Sequence, residues 1–214
     1  VTKETFRVNW DISAAEKGGY EHFMFKEIME QPRAIRDTVS PRIKDGQIVL
    51  DDITLTEKYI KSIEKIYIVA CGSAYHVGVV GKYVIEEMAR IPVEVSVASE
   101  FRYMNPIVNE RTLVVVISQS GETADTIAAM REAKRLGART FAVVNAVGSA
   151  IAREADDVLY TWAGPEIAVA TTKAYSTQLT AMYLLGLYLA KHLELMEEER
   201  FQSCIKALEE LPDH

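Results

Sequence analysis

Through the middle of this chain, short runs of almost wholly apolar residues alternate with stretches of helical spacing, and that alternation leaves few folds open. The runs are 66–70 (IYIVA), 93–98 (VEVSVA), 112–118 (TLVVVIS), 140–144 (TFAVV) and 157–161 (DVLYT). A strand such as 112–118, apolar at nearly every position, has no face to give to water, so both faces of its sheet must be covered. Helices between successive strands supply that cover, and the right-handed crossovers they make join parallel strands. The fold class expected is α/β: a three-layer αβα sandwich on a five-stranded parallel sheet, with further helices at both ends.

Helices are expected over 75–90, 123–136 (closed by Gly137) and 149–154, with a short turn at 99–103. Ahead of the sheet, a helical pattern runs from Tyr20 to the Gln31-Pro32 step, placing Phe23, Ile28 and Met29 partly on one face. A second helix starts on Pro32 and runs to Val39, and a third covers 55–62. Behind the sheet, 172–193 and 197–211 read as helices, the Tyr and Leu residues of the former as core packing. Residues 1–19 are polar, end in the Lys17-Gly18-Gly19 turn signal and read as a linker or arm; 20–214 reads as one domain. Because the chain starts at Val1 without methionine, it is taken as a possible piece of a longer protein.

Composition excludes several functions. With 31 acidic against 24 basic residues, a net charge of −7 and no basic block, the chain is no candidate for nonspecific nucleic-acid binding. The two cysteines, Cys71 and Cys204, form no C-x-x-C pair, which argues against a disulfide framework or a zinc site and for a reducing cytosol. The longest apolar run, 181–190, is too short for a membrane span, and no signal-peptide profile opens the chain. His22, His76, His192 and His214 show no ligand spacing, so no metal is assigned.

In an open parallel sheet, ligands gather beyond the carboxyl ends of the strands. Three loops there are rich in hydroxyls and small residues: CGSAY (71–75), SQSGET (118–123) and EIAVATTKAYSTQ (166–178). SQSGET carries the hydroxyls of Ser118, Ser120 and Thr123 around Gly121 beside a helix start, where unpaired amides and hydroxyls make an anion site. The competing reading is that Ser120 merely caps that helix and that Gly72 merely permits a tight turn. Cys71 reads as a small hydrophobe rather than a nucleophile, and Lys173 as the partner of a carboxylate such as Glu166. Neither G-x-G-x-x-G nor a Walker-type lysine appears, which argues against nucleotide binding.

Taken together, EKGGYEHFMFKEIMEQPRAI, ACGSAYHVG, ASEFRY, SQSGETADT and GPEIAVATTKAYSTQ resemble the sugar isomerase (SIS) domains. The KGGY-to-EQP segment narrows the resemblance to the first SIS domain of the glucosamine-6-phosphate synthases, or glutamine:fructose-6-phosphate aminotransferases. The resemblance implies a flavodoxin-like sheet that binds fructose 6-phosphate or glucosamine 6-phosphate. Its phosphate would lie on Ser118, Gln119, Ser120 and Thr123, and its sugar against Cys71, Gly72, Ser73, Val169, Ala170 and Thr171. It further implies no cofactor, a cytoplasmic homodimer, an amidotransferase domain before Val1 and a second SIS domain after His214. The family's catalytic glutamate, histidine and lysines belong to that second domain and the tail, so no catalytic residue is assigned here. One departure stands out: members commonly read CGTS where this chain reads CGSA, so Ala74 replaces a hydroxyl. A stand-alone SIS isomerase or deglycase is disfavoured by the KGGY arm. A sugar-phosphate sensor of a transcriptional regulator is disfavoured because the N-terminal helices lack basic character.

Overall fold

The computed structural model describes residues 16–50 and 53–214, so most of the arm expected at 1–19 lies outside the described residues. Ahead of the sheet come α1 (Phe23–Met29), α2 (Gln31–Val39), the strands β1 (Ile43–Lys44) and β2 (Gln47–Ile48), and α3 (Glu57–Ser62). The alternating region follows as β3 (Lys65–Ala70), α4 (Ser73–Ala89), β4 (Val93–Val97), α5 (Ala98–Phe101), β5 (Thr112–Ser118), α6 (Ala124–Arg135), β6 (Arg139–Val144), α7 (Ala150–Glu154) and β7 (Asp157–Tyr160). Two helices, α8 (Lys173–His192) and α9 (Glu198–Glu210), complete the order.

The sheet runs β4-β3-β5-β6-β7 and every neighbouring pair is parallel. Strand alternation sends successive side chains to opposite layers. Ile66, Ile68, Leu113, Val115, Ile117, Phe141 and Val143 face one core, shared with α4, α8 and α9. Tyr67, Val69, Val114, Val116, Ala142 and Val144 face the other, closed by α5, α6 and α7. All seven residues of β5 are buried, as its sequence requires. The five expected strands are present to within a residue at either end. Four of the five leucines of α8 (Leu184, Leu185, Leu187, Leu189) are fully buried in the first core, and Leu179 packs against it partly buried. Among the described residues, no helix is long and apolar enough to cross a membrane.

Two features differ from the sequence reading. The β1–β2 hairpin was not expected; it turns on Asp45-Gly46, both at positive φ, the dipeptide that favours a tight two-residue turn. Its strands are only two residues long, too short to show alternation. Helix α1 is shorter than the 20–31 pattern and inverted: it buries Lys26 and Glu27 and exposes Met24, Phe25, Ile28 and Met29. Fixed polar partners outweigh the apolar pattern there: Lys26 pairs with Glu30 at 3.6 Å, and Glu27 accepts from two amides of the loop after β7.

Helix α4 lies close against the sheet because Gly78 faces it. A Cβ at that position would sit 2.9 Å from Ile68 Cγ2 and 3.1 Å from Val95 Cγ1, both on β-branched side chains of strands. Gly78→Val is therefore expected to cost about 1–3 kcal/mol through overpacking. Urea unfolding checks this, and an unchanged midpoint would mean that α4 can lift from the sheet freely.

Candidate functional site

The chain reverses its direction of growth across the sheet between β3 and β5, so the loops leaving these neighbouring strands diverge and open a cleft at their carboxyl ends. After β3 the chain passes through Gly72, at φ +58° and ψ −134°, directly into α4, whose first turn has no side-chain cap. A residue with a Cβ is strongly disfavoured in that conformation.

After β5 the SQSGET loop folds on itself. Ser118 Oγ accepts from the amide of Gly121 at 3.0 Å and shares a hydrogen bond with Thr123 Oγ1, also at 3.0 Å. Ser120 Oγ accepts from the amide of Glu122 at 3.2 Å. Ser120 therefore closes a small turn within the loop and does not cap α6. Thr123 occupies the cap position, yet its hydroxyl is engaged with Ser118, so the first-turn amides of α6 have no side-chain cap. The loop is pinned from behind at the start of α7: the Ile151 amide donates to Gly121 O at 3.0 Å and the Ala150 amide to Glu122 Oε1 at 2.8 Å. Gly121 sits at φ +65°, and a Cβ there would run into Ser149, 2.5 Å from its Cβ.

Asn145, at the end of β6, ties the SQSGET loop to the loop after β7. Its amide donates to Gln119 O at 3.1 Å; its side chain donates to Gly164 O at 2.7 Å and accepts from the Ala163 amide at 2.8 Å. Further along, the Glu166 carboxylate accepts from Thr171 Oγ1 at 2.9 Å and from the amides of Thr172 and Ala174 at 2.9 and 3.1 Å. It thus caps α8, where a negative charge is favoured. Lys173 does pair with a carboxylate, but with Glu30 of the α1–α2 junction at 2.7 Å, because Glu166 is committed to the helix amides.

The resulting cleft encloses about 230 Å³ and is lined by Cys71, Ser73, Ala74, Ile117, Ser118, Gln119, Ser120, Thr123, Thr171 and Gln178. Of the residues anticipated from sequence, Cys71, Ser73, Ser118, Gln119, Ser120, Thr123 and Thr171 are brought together there. Gly72 shapes the turn without lining the cleft, while Val169 and Ala170 stand outside it, exposed. Ile117 and Gln178 were missed; Gln178 is 3% exposed but stands in the polar first half of α8 beside Ser176, Thr177 and Thr180, so residue type alone did not single it out. Cys71 Sγ accepts from Thr126 Oγ1 at 3.9 Å, which links the β3 loop to α6.

No charged side chain lines the cleft. An anion there would be held by hydroxyls and by the α6 amides, each hydrogen bond to a charged group contributing roughly 1.5–3 kcal/mol. Among the described residues, no three His, Cys, Asp or Glu side chains come together in a way that could hold a metal ion.

Fold and cleft together define a class: the chain belongs to the SIS domain family, whose model matches residues 59–188. Over its full 214 residues it is 65% identical to the glutamine–fructose-6-phosphate aminotransferase [isomerizing] of Caldanaerobacter subterraneus subsp. tengcongensis, covering 35% of that protein. The enzyme of the same name from Clostridium acetobutylicum is 62% identical over 214 residues, again with 35% of it covered. Among solved structures, the C-terminal domain of glucosamine-fructose-6-phosphate aminotransferase from Francisella tularensis matches with a TM-score of 0.88 and 38% identity, over 92% of this chain and 56% of that one. The chain thus spans about a third of the length of these curated relatives.

The packing of Gly121 on Ser149 leads to a direct expectation. Gly121→Ala should destabilise the chain by about 1–3 kcal/mol, through overpacking and the positive φ together. Denaturant unfolding measures it, and wild-type stability would show that the loop is not pinned against α7.

Proposed function

We propose that this chain is the first sugar-phosphate-binding SIS domain of an isomerizing glutamine–fructose-6-phosphate aminotransferase, and that its cleft takes fructose 6-phosphate or glucosamine 6-phosphate. The observation that carries this reading is the convergence of three hydroxyl-bearing loops and an uncapped α6 start on one uncharged cleft. In this reading Ser118, Gln119, Ser120 and Thr123 hold the phosphate together with the α6 amides. Ser118 and Thr123 share one hydrogen bond, so one of their two hydroxyl hydrogens closes it and the other is free to point at a phosphate oxygen. Cys71, Ser73 and Thr171 line the sugar, and Gly72 lets the backbone turn beneath it. Val169 and Ala170, exposed beside the cleft, approach the sugar through their backbone.

The cleft walls carry no acid–base pair, so this domain binds and orients the substrate. The reading places the proton transfers of ring opening and isomerisation on a second SIS domain and tail, and ammonia supply on an amidotransferase domain, within a cytoplasmic homodimer of the amino-sugar pathway. No cofactor is called for, because ammonia transfer and aldose–ketose isomerisation need only positioned acids, bases and amines.

Calorimetric titration of the chain with glucosamine 6-phosphate, with glucosamine as a control, tests this directly. Saturable binding of the phosphorylated sugar alone is expected, and Ser120→Ala should weaken it by roughly 1–3 kcal/mol, or about 5- to 150-fold. Absence of binding to the folded wild-type chain would overturn the reading; unchanged affinity in a folded Ser120→Ala variant would remove Ser120 from the site.

A further inference from the structure

Glu27 lies outside the cleft, on α1, yet it is 2% exposed. Its Oε1 accepts from two consecutive amides of the loop after β7, Ile167 at 2.6 Å and Ala168 at 3.1 Å. Its Oε2 is buried and has no hydrogen-bond partner among the described residues. Burying a carboxylate with one oxygen unpartnered is unfavourable, and stability alone would be served better by a neutral side chain. The two amides it holds belong to a segment anchored at its other end as well, where the Thr171 hydroxyl and the Thr172 amide donate to Glu166. Between these anchors Val169 is fully exposed, and Thr171, at the end of the segment, forms a wall of the cleft.

We infer that Glu27 is a positioning residue for the sugar: reaching from α1, it fixes the backbone at 167–168 and so sets where Thr171 and the segment before it stand. The inference rests on the sugar-phosphate reading above and gives the α1 arm a role in it. It also explains the inverted burial of α1, which sacrifices an apolar contact face to bring a carboxylate inside. The phosphate end of the cleft is built by β5, α6 and the start of α7, with no contact to Glu27 among these hydrogen bonds, and Asn145 ties it to the loop after β7 at Ala163 and Gly164, ahead of the 167–168 amides that Glu27 holds. Displacing the Glu27 latch should therefore disturb sugar recognition and leave phosphate recognition intact.

The test compares Glu27→Asp, which keeps the charge but shortens the reach by one methylene, with Glu27→Gln, which keeps the reach and an acceptor oxygen. Affinities for glucosamine 6-phosphate and for inorganic phosphate are measured on both variants and on wild type, with thermal unfolding as a check on the fold. Glu27→Asp is expected to weaken glucosamine 6-phosphate roughly tenfold, about one lost hydrogen bond, and to change inorganic phosphate less than about twofold. Glu27→Gln is expected to bind both close to wild type. Equal losses for the two ligands in Glu27→Asp, an unchanged affinity for the sugar phosphate, or a Gln variant as weak as Asp would each overturn the inference. A wild-type chain that binds no glucosamine 6-phosphate would instead sink the functional reading beneath it.

Discussion

The site depends on one constraint: β3 and β5 lie side by side, while the chain leaves them toward opposite faces of the sheet. Helix α4 follows β3 onto the face packed with α8, and α6 follows β5 onto the face packed with α5 and α7. Two helices that must cover opposite layers cannot start at the same place, so their first turns separate and a cleft opens between them. The central place of β5 follows from its sequence, apolar from Leu113 to Ile117 and buried at all seven positions, which is tolerable only in the middle of a doubly covered sheet. Core composition and site location are thus consequences of the same strand.

The proposed binding of a sugar phosphate, a dianion, in an acidic chain with no charged side chain lining the cleft sets a particular physical problem. The net charge of −7 opposes approach, and long-range steering cannot help. Short-range donors must supply the attraction, and the structure concentrates them: hydroxyls from residues 118–123 at the start of a helix whose amides are left uncapped. The nearby cation, Lys173, is committed to Glu30 and is only 3% exposed, so it braces the scaffold. Hydroxyl and amide donors are directional, so this arrangement favours ligand shape over charge alone.

Much of this was legible in the sequence because strand burial and turn chemistry are local signals. The apolar run 112–118 and the SQSGET hydroxyls at its end marked both the sheet centre and the cleft. What stayed hidden was the choice among competing local partners, and whatever depended on distant ones. That Ser120 closes a loop turn, leaving the cap position to Thr123, depends on Ser118 drawing the Thr123 hydroxyl away. The bridging role of Asn145 needs β6 beside β5, and the partner of Lys173 lies 143 residues away in the α1–α2 junction. The inversion of α1 defeated periodicity outright, since the partners of the buried Glu27 are amides about 140 residues away, which no local pattern reveals. Val169 and Ala170, expected from resemblance to line the sugar, stand outside the cleft because the segment is held at 167–168 and at 171–172.

The most direct measurement of the central claim is a crystal structure of this chain grown with glucosamine 6-phosphate. The account predicts phosphate oxygens within hydrogen-bonding distance of Ser118, Ser120, Thr123 and the first amides of α6, with the sugar directed toward Ser73 and Thr171. A phosphate seated elsewhere on the molecule at saturating ligand, with residues 118–123 unengaged, would contradict it.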